Sequence, residues 1–310
     1  MQKPLILFAQ WFGPWPEWIE FFVESCKWNR DIDWLIFTDQ DPPDNDAPNV
    51  RYRKVGFAEH RALLGSAIAL DLSNIPPIKL CDLKPVLGFV FARETDGYRN
   101  YGHCDIDLIF GNIRAFYTDA VLEKYQVLST HDDRLSGHLA VLRNTSFNRE
   151  AFRRIRSWKR KAVDPHNYGI DEYRFGNVFV RPSPWRRLTE GRIPTLFEER
   201  YTTPLTRRPW LDGTHNYPTR WYWRGGKLTA EGYGDREFIY IHFMNWKAST
   251  SHVVRGGHSS APWSRLERVV SMDWRDAAAE GFMISHDGIG PLPRPATADR
   301  AETVRPGIPA

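Results

Sequence analysis

The sequence is poor in cysteine, and neither sign of charge dominates it. Only three of the 310 residues are cysteine, at Cys26, Cys81 and Cys104, and no two of them form a CxxC pair. An odd number of widely spaced cysteines argues against a disulfide framework or a structural zinc site. The formal charge of +4, from 42 basic and 38 acidic residues, is too small to indicate a nucleic-acid-binding protein.

Long apolar runs are also missing. No stretch of 18 apolar residues exists, so the sequence predicts no membrane-spanning helix. The apolar run at residues 5–9 is too short for the hydrophobic region of a signal peptide, and no small-residue cleavage site follows it. The expected location is therefore the cytoplasm, and peripheral contact with the inner face of the membrane stays open.

What the sequence does have is a repeated strand and helix pattern in its first half. Residues 4–9 and 34–39 are short apolar runs typical of buried strands, and Pro16 between them suits the first position of a helix. This order predicts an α/β sheet. The other predicted elements are helices at 57–71, 79–94, 112–124 and 146–161, strands at 50–55, 98–104, 126–130, 137–143 and 238–243, short elements at 172–180 and 195–205, and a hairpin at 220–229.

Asp-x-Asp triplets are the first candidates for chemistry. Four occur, at Asp31/Asp33, Asp39/Asp41, Asp44/Asp46 and Asp105/Asp107. The first three fall where a helix cap or a polar loop explains them. Asp105 and Asp107 instead follow a predicted strand and precede an apolar run, where carboxylates are costly unless they are paired or bind a metal. Carboxylate oxygens suit Mg²⁺ or Mn²⁺, and the alternative is a structural turn.

Four segments then resemble GT-A glycosyltransferases. Residues 101–111 (YGHCDIDLIFG) resemble the metal-binding segment of these enzymes, and residues 79–85 (KLCDLKP) resemble the helix that precedes it. Residues 137–144 (GHLAVLRN) resemble the strand that lines their donor and acceptor pocket. Residues 241–247 (IHFMNWK) are similar to the C-terminal segment of glycogenin-like relatives. Over residues 4–250 the pattern resembles a largely uncharacterised bacterial family linked to surface polysaccharide synthesis.

The resemblance implies a fold and a reaction. The implied fold is α/β, a Rossmann-like GT-A mixed sheet flanked by helices at 1–250, followed by a helical extension at 251–286 and a disordered tail at 287–310. The implied reaction transfers a hexose from a UDP- or GDP-sugar to a glycan or lipid-linked glycan, with Mn²⁺ or Mg²⁺ as cofactor. A non-catalytic glycan-binding protein and a metal-dependent nucleotidyltransferase are the alternatives. The loop after the first strand has no Lys or Arg, which counts against the nucleotidyltransferase.

The resemblance also assigns roles to individual residues. It makes His242 a third metal ligand, Lys247 and Lys84 partners of the diphosphate, and Asp171 or Glu172 the general base that an inverting transfer needs. The remaining implied donor-binding residues are Phe8, Ala9, Gln10, Trp11, Asp39, Asp82, His103, Asp105, Gly137 and His138. Core packing, turn capping or a solvated surface is the structural alternative for each of them.

Two further groups have weaker assignments. The basic run Arg149, Arg153, Arg154, Arg156, Lys159, Arg160 and Lys161 lies on a predicted helix. It is either a solvated face or a surface that attracts anionic lipid. The aromatic residues Trp210, Trp221, Tyr222 and Trp223 are candidates for a platform on which acceptor sugars stack.

Overall fold

Alternating apolar residues build a mixed sheet in the N-terminal two thirds of the chain. The computed structural model describes residues 2–180, 193–206, 208–247 and 263–293. The strands are β1 (Lys3–Trp11), β2 (Ile32–Thr38), β3 (Val50–Lys54), β4 (Tyr98–Cys104), β5 (Leu108–Phe110), β6 (Val127–Ser129), β7 (Leu139–Arg143), β8 (Thr195–Phe197), β9 (Arg220–Arg224), β10 (Lys227–Ala230), β11 (Tyr240–His242), β12 (Phe282–Ser285) and β13 (Gly288–Gly290).

Short helices connect these strands. The α-helices are α1 (Ile19–Lys27), α2 (Phe57–Ile68), α3 (Leu80–Leu83), α4 (Leu87–Val90), α5 (Ile113–Phe116), α6 (Asp119–Lys124), α7 (Ser146–Glu150), α8 (Trp158–Val163), α9 (Phe175–Val180), α10 (Met244–Lys247) and α11 (Ala277–Glu280). Single 3₁₀ turns lie at Pro77–Lys79, Lys84–Val86, Ala92–Thr95, Ala151–Arg154, Trp263–Arg265 and Trp274–Asp276, and a π-helical turn at Ile170–Arg174. No helix in these ranges is long and apolar enough to cross a bilayer.

The main sheet has the strand order β3-β2-β1-β4-β7-β6-β8 within the described residues. Strands β1, β2, β3 and β4 run parallel to one another, whereas β7 runs antiparallel to both of its neighbours. The order reverses direction between β1 and β4. In such sheets ligands bind beyond the carboxyl ends of the strands at this reversal. The predicted fold class, an α/β mixed sheet flanked by helices, is confirmed.

Each face of the main sheet is covered by its own hydrophobic core. Because side chains alternate along a strand, Ile6 and Phe8 of β1 point into one core and Leu5 and Leu7 into the other. The first core lies against the helices and turns of 57–95 and 146–180, and the second against α1. Fully burying each such side chain contributes about 1.5–3 kcal/mol.

A second sheet carries a third core. Within the described residues its order is β10-β9-β12-β13, and the predicted hairpin of β9 and β10 turns at Gly225 and Gly226, both with positive φ. The predicted stacking platform is wrong for Trp210, Trp221 and Trp223, which are at most 3% exposed. These rings pack against one another and against Phe238, since burying them is what holds this sheet to the rest of the chain.

Several predicted boundaries need correction. The helix expected at 79–94 is a series of single turns. The helix expected at 146–161 is broken at Ser157, whose φ of 57° turns the chain so that Phe152 and Trp158 both point into the core. The extension expected to be helical contains strand β12, and Gly288–Gly290 of the expected tail pair with it as β13. Residues 294–310 lie outside the described residues.

Candidate functional site

Strand register brings three potential metal ligands together. Asp105 and Asp107 follow β4, which ends at the strand-order reversal of the main sheet. Strand β5 then pairs antiparallel with β11, and this register places His242 opposite Leu108. The ligand atoms of Asp105, Asp107 and His242 lie within 4.8 Å of one another. In the part of the chain that the structure describes, no other group of three such residues does so.

Asp107 is the buried anionic centre of this group. Its side chain lies 3.5 Å from His242 Nε2 and accepts a 2.6 Å hydrogen bond from Lys247 Nζ. Burial by itself raises the pKa of Asp107, but the charges of His242 and Lys247 outweigh burial and hold that pKa well below its usual range. Asp107 is therefore ionised. Thr203 positions the His242 ring, because His242 Nδ1 lies 3.3 Å from Thr203 Oγ1.

Lys84 connects the acidic residues on the other side of the site. Its buried Nζ lies 2.6 Å from Asp105 Oδ1 and 3.5 Å from Asp171 Oδ2, and it donates a 2.7 Å hydrogen bond to the Gly137 carbonyl. Burial lowers the pKa of Lys84, but Asp105 and Asp171 raise it well above its ordinary value. Lys84 therefore stays protonated and gives the site a fixed positive charge.

Asp171 is the titratable carboxyl of the site. Burial raises its pKa to about 7, the charge of Lys84 opposes that rise, and Glu172 and Asp105 add to it. A carboxyl with a pKa near neutrality can take up or release a proton at physiological pH. Glu172 beside it is partly exposed and lies 3.4 Å from Arg134 Nε.

Asp82, which was predicted to bind the donor, lies inside the protein. It is 2% exposed and accepts 2.7 Å hydrogen bonds from the backbone N–H groups of Tyr168 and Ile170. The Lys79 ammonium lies 2.8 Å away and neutralises it. These bonds fasten the start of the turn that carries Asp171. All these partners are protein groups, and the direct donor contact of Asp82 stays a prediction.

Three other predicted donor-binding residues are also buried. Phe8 and Ala9 are at most 1% exposed and point into the two cores of the main sheet. His103 is 2% exposed, and burial lowers its pKa well below the usual value. These three side chains pack inside the protein, and their predicted donor contacts stay predictions.

Gly137 and His138 lie against the centre of the site. A Cβ on Gly137 would be 2.6 Å from Asp171 Oδ2, so only glycine lets β7 approach this carboxyl so closely. The ring of His138 stacks on that of His242 at 4.1 Å between centroids. Its Nε2 is buried without a hydrogen-bond partner, and burial lowers its pKa well below the usual value.

The ends of β1 and β2 form the edge next to the metal ligands. Asp39 accepts a 2.9 Å hydrogen bond from the Gly13 N–H in the loop after β1. Hydrogen bonds from Gln40 and then from Gly13 lower the pKa of Asp39. Gln10 lies 2.8 Å from His60, and the indole N–H of Trp11 donates to the Pro14 carbonyl. Gln10, Trp11 and Asp39 are partly exposed and share this edge, as predicted from their strand positions.

A pocket of about 530 Å³ opens near the site without including any of the three candidate ligands in its lining. Thr203, which contacts His242, and Glu172 both line it. Its other polar side chains include His131, Arg134, Glu199 and Arg208. The charged ones are already paired: Arg208 with Asp132, Asp133 and Glu199, and Arg134 with Asp133 and Glu172. The pocket therefore offers many hydrogen-bonding groups with little net charge.

The sequence did not indicate Thr203, His131 or Lys79. Thr203 and His131 lie in irregular segments with no periodic pattern, and only the fold brings them to the site. The spacing of Lys79 and Asp82, three residues apart at a helix start, was the one available signal.

A site for a hard cation fits these residues. The two carboxylates suit Mn²⁺ or Mg²⁺, and the imidazole is a ligand that transition metals take more readily than Mg²⁺ does. The ligand atoms of Asp105, Asp107 and His242 lie within 4.8 Å of one another, near enough for one ion to contact all three after small side-chain shifts.

Comparison with known proteins gives a family and weak structural similarities. No curated protein matches the chain. The galactosyltransferase LgtC with donor and acceptor sugar analogs is similar at 11% identity over 64% of this chain and 74% of that chain, with a TM-score of 0.36. The glycosyltransferase GlyE of Streptococcus pneumoniae TIGR4 is 11% identical over 63% of this chain and 45% of its own, with a TM-score of 0.31.

A glycosyltransferase involved in glycosylation of the major capsid of PBCV-1 is 9% identical over 80% of this chain and 95% of its own, with a TM-score of 0.33. Similarities this low do not identify an activity, which has to be inferred from the residues of the site. The family model that matches residues 7–261 is described as a family of unknown function, DUF6625. Since this match covers well over half of the 310 residues, the protein belongs to that family.

Proposed function

We propose that the protein is a metal-dependent glycosyltransferase that moves a hexose from a nucleotide diphosphate sugar to a glycan or lipid-linked glycan. The observation that carries this proposal is the cluster of Asp105, Asp107 and His242 at the strand-order reversal of the sheet, with a lysine on either side. This edge is where open α/β sheets bind nucleotides.

The cation would be held by Asp105, Asp107 and His242. When bound, Mn²⁺ or Mg²⁺ neutralises the charge that develops on a departing nucleoside diphosphate. Lys84 and Lys247 each contact one of the carboxylate ligands, at 2.6 Å in both cases. Their ammonium groups therefore lie beside the carboxylate ligands, where they would also stabilise the negative charge of the diphosphate.

The nucleotide base would lie at the ends of β1 and β2. Trp11 offers a partly exposed indole for stacking, and the Asp39 carboxylate and Gln10 amide offer hydrogen bonds. Asp39 is partly exposed, and its carboxylate can accept a hydrogen bond from a ribose hydroxyl or from a uracil or guanine N–H. These assignments choose no single base.

The acceptor would occupy the pocket of about 530 Å³ next to His242. In an inverting transfer its hydroxyl oxygen bonds to the anomeric carbon of the sugar, and the bond from that carbon to the phosphate oxygen breaks. Asp171, with a pKa of about 7, would take the hydroxyl proton. Glu172, which lines the pocket, would position that hydroxyl. A role in surface polysaccharide synthesis and a cytoplasmic location stay predictions of the sequence.

Calorimetric titration with UDP and GDP tests this proposal. Binding of one nucleotide is expected only with Mn²⁺ present, and Asp107→Asn is expected to abolish it, because the ion and one lysine lose their shared partner. The matched control is Asp46→Asn, which alters an exposed aspartate of another Asp-x-Asp triplet. This variant is expected to bind as the wild type does.

Two results would contradict the proposal. One is no nucleotide binding by the wild type with Mn²⁺ or Mg²⁺. The other is binding that persists in Asp107→Asn. If nucleotide binding is confirmed, release of the nucleotide from a panel of UDP- and GDP-sugars identifies the donor, because water can replace the unknown acceptor in this assay.

A further inference from the structure

The positive charge of the protein is concentrated in one segment. Residues 149–163 contain seven basic residues and one acidic residue, a surplus larger than the +4 of the whole chain. The segment does not form the continuous helix that its sequence predicts. It folds as α7, a 3₁₀ turn and α8, with Phe152, Trp158 and Lys161 buried and five of the seven basic residues exposed.

What we call the basic face consists of Arg156, Lys159 and Arg160 from this segment, together with Arg174 from the π-helical turn. All four are exposed. Arg174 joins the others through Tyr168, because its Nε donates to the Tyr168 carbonyl at 3.4 Å and its guanidinium lies 5.9 Å from the Tyr168 ring.

No carboxylate in the described part of the chain neutralises the charges of the basic face. Within the residues that the structure describes, none of its four members forms an ion pair, whereas Arg99 and Arg114 elsewhere are each paired with two carboxylates. The neighbouring Asp164 accepts hydrogen bonds from His166 and Tyr168 instead.

The pKa of Lys161 reports the same positive field. Burial is the largest cause of its lowered pKa, and the charges of Arg174, Arg160 and Arg156 lower it further. Like charges that repel one another in this way persist on a surface at a cost in stability, and an anionic partner relieves that cost.

Apolar side chains project beside the basic face. Ile78 is 61% exposed, and Val163 and Tyr168 are each 36% exposed. Ile78 is near Tyr168 because the next residue, Lys79, places its ammonium 4.8 Å from the Tyr168 ring and donates to the His166 carbonyl. Exposed aliphatic groups next to cations are typical of surfaces that bind lipid headgroups. The aliphatic groups can insert into the headgroup layer, and the cations can contact its phosphates.

We infer that the basic face, with Ile78, Val163 and Tyr168, binds the surface of a bilayer that contains anionic phospholipids. The aliphatic members favour a membrane over a nucleic acid, because Ile78 and Val163 cannot stack on bases as aromatic side chains do. The same face continues into the π-helical turn that carries Asp171 and Glu172 on its inner side. Binding would therefore bring the acceptor pocket close to the bilayer, although the inference stands without the proposed reaction.

Co-sedimentation of the full chain with vesicles tests this inference. We expect binding to phosphatidylcholine vesicles that contain about 30% phosphatidylglycerol, little binding to pure phosphatidylcholine, and weaker binding at about 0.5 M salt than at about 0.05 M. Reversing three charges with Arg156→Glu, Lys159→Glu and Arg160→Glu should lower the partition coefficient at least about 100-fold, at about fivefold for each basic residue.

The matched control reverses three exposed basic residues elsewhere, Lys124→Glu, Arg30→Glu and Arg224→Glu, for the same change in net charge. It should keep at least half of the wild-type binding. Ile78→Ser should remove the part of binding that resists salt. Circular dichroism and cooperative thermal unfolding check that each variant is folded.

Three outcomes would overturn the inference: no binding of the wild type to anionic vesicles, equal losses in the test and control variants, or tight binding to single-stranded RNA with none to vesicles. None of these bears on whether the chain binds a nucleotide. The membrane inference and the proposed reaction therefore fail separately.

Discussion

Asp171 owes its chemistry to the side chains that surround it. It is buried beside Lys84, with Glu172 and Asp105 nearby, and burial raises its pKa to about 7. The sequence indicated only that an acidic pair lies at 171 and 172. It could not give the pKa, because Lys84 and Asp105 reach Asp171 from distant parts of the chain.

The raised pKa predicts how stability depends on pH. The folded state keeps the Asp171 proton up to about pH 7, whereas the unfolded state loses it near pH 3.8. The stabilisation from this proton is therefore complete below about pH 4 and is lost as pH rises through 7. Compared with Asp171→Asn, which cannot ionise, the wild type should lose up to about 1.4 kcal/mol of unfolding free energy per pH unit within that window.

Denaturant unfolding between pH 4.5 and 8 measures this difference. Asp164→Asn is the control, because hydrogen bonds from His166 and Tyr168 lower the pKa of Asp164 to about 2, outside the window. A constant difference between wild type and Asp171→Asn across this range would show that Asp171 does not titrate there.

Among the elements of the fold, the apolar strands and helix α2 were predicted, whereas the continuous helices expected at 79–94 and 146–161 were not found. Strands β1, β2 and β4 and the β9–β10 hairpin lie where alternating or continuous apolar residues predicted them. The prediction of one continuous helix at 79–94 was wrong because Lys79, Asp82 and Lys84 are buried polar residues. Their orientation follows tertiary partners such as Tyr168 and Gly137, and helical periodicity does not describe them.

The approach of β7 to the π-helical turn gives a prediction at this scale. Gly137→Ala would place a Cβ 2.6 Å from Asp171 Oδ2 and 3.1 Å from Glu172 Cγ. The turn must then move away from Lys84, which is bonded to the Gly137 carbonyl. A displacement of about 1 Å costs roughly 100-fold in rate, so we expect that loss in nucleotide release from the donor sugar.

The control for Gly137→Ala is Gly56→Ala, where a Cβ meets nothing within 4 Å. It should keep nearly full activity. Overpacking at Gly137 costs about 1–3 kcal/mol of stability, so thermal unfolding of both variants shows whether each remains folded at the assay temperature. Full activity of a folded Gly137→Ala variant would mean that the positions of Asp171 and Glu172 do not matter for the reaction.

For the whole molecule, local sequence patterns selected two of the three candidate metal ligands, whose atoms the structure brings within 4.8 Å of one another. Asp105 and Asp107 could be selected from four triplets because strand-like sequence precedes them and an apolar run follows. His242 could be proposed as a ligand only from the family resemblance. The β5–β11 pairing that brings it to Asp105 and Asp107 joins residues more than 130 positions apart in the chain. The boundary at residue 250 was placed where the resemblance to GT-A glycosyltransferases ends, and the long-range strand pairing beyond it leaves no local sequence pattern.

The structure makes residues 263–293 part of the fold. The ring of Phe282 stacks on Trp223 at 4.9 Å, Trp263 packs on Phe243, and the Glu17 carboxylate accepts hydrogen bonds from the Val269 and Val270 N–H groups. A chain that ends at residue 250 loses these contacts and exposes Trp223. It is expected not to fold.

The burial free energy that a chain ending at residue 250 loses supports this expectation. Removing Trp263, Phe282, Ile284 and Ile289 forfeits about 1.5–3 kcal/mol of burial for each. The sum approaches the roughly 5–15 kcal/mol that stabilise a typical domain. A chain that ends at residue 293 keeps all four and should unfold cooperatively at the temperature of the full chain. Cooperative unfolding of the 1–250 chain near that temperature would show instead that the first 250 residues fold alone, with the second sheet as an appendage.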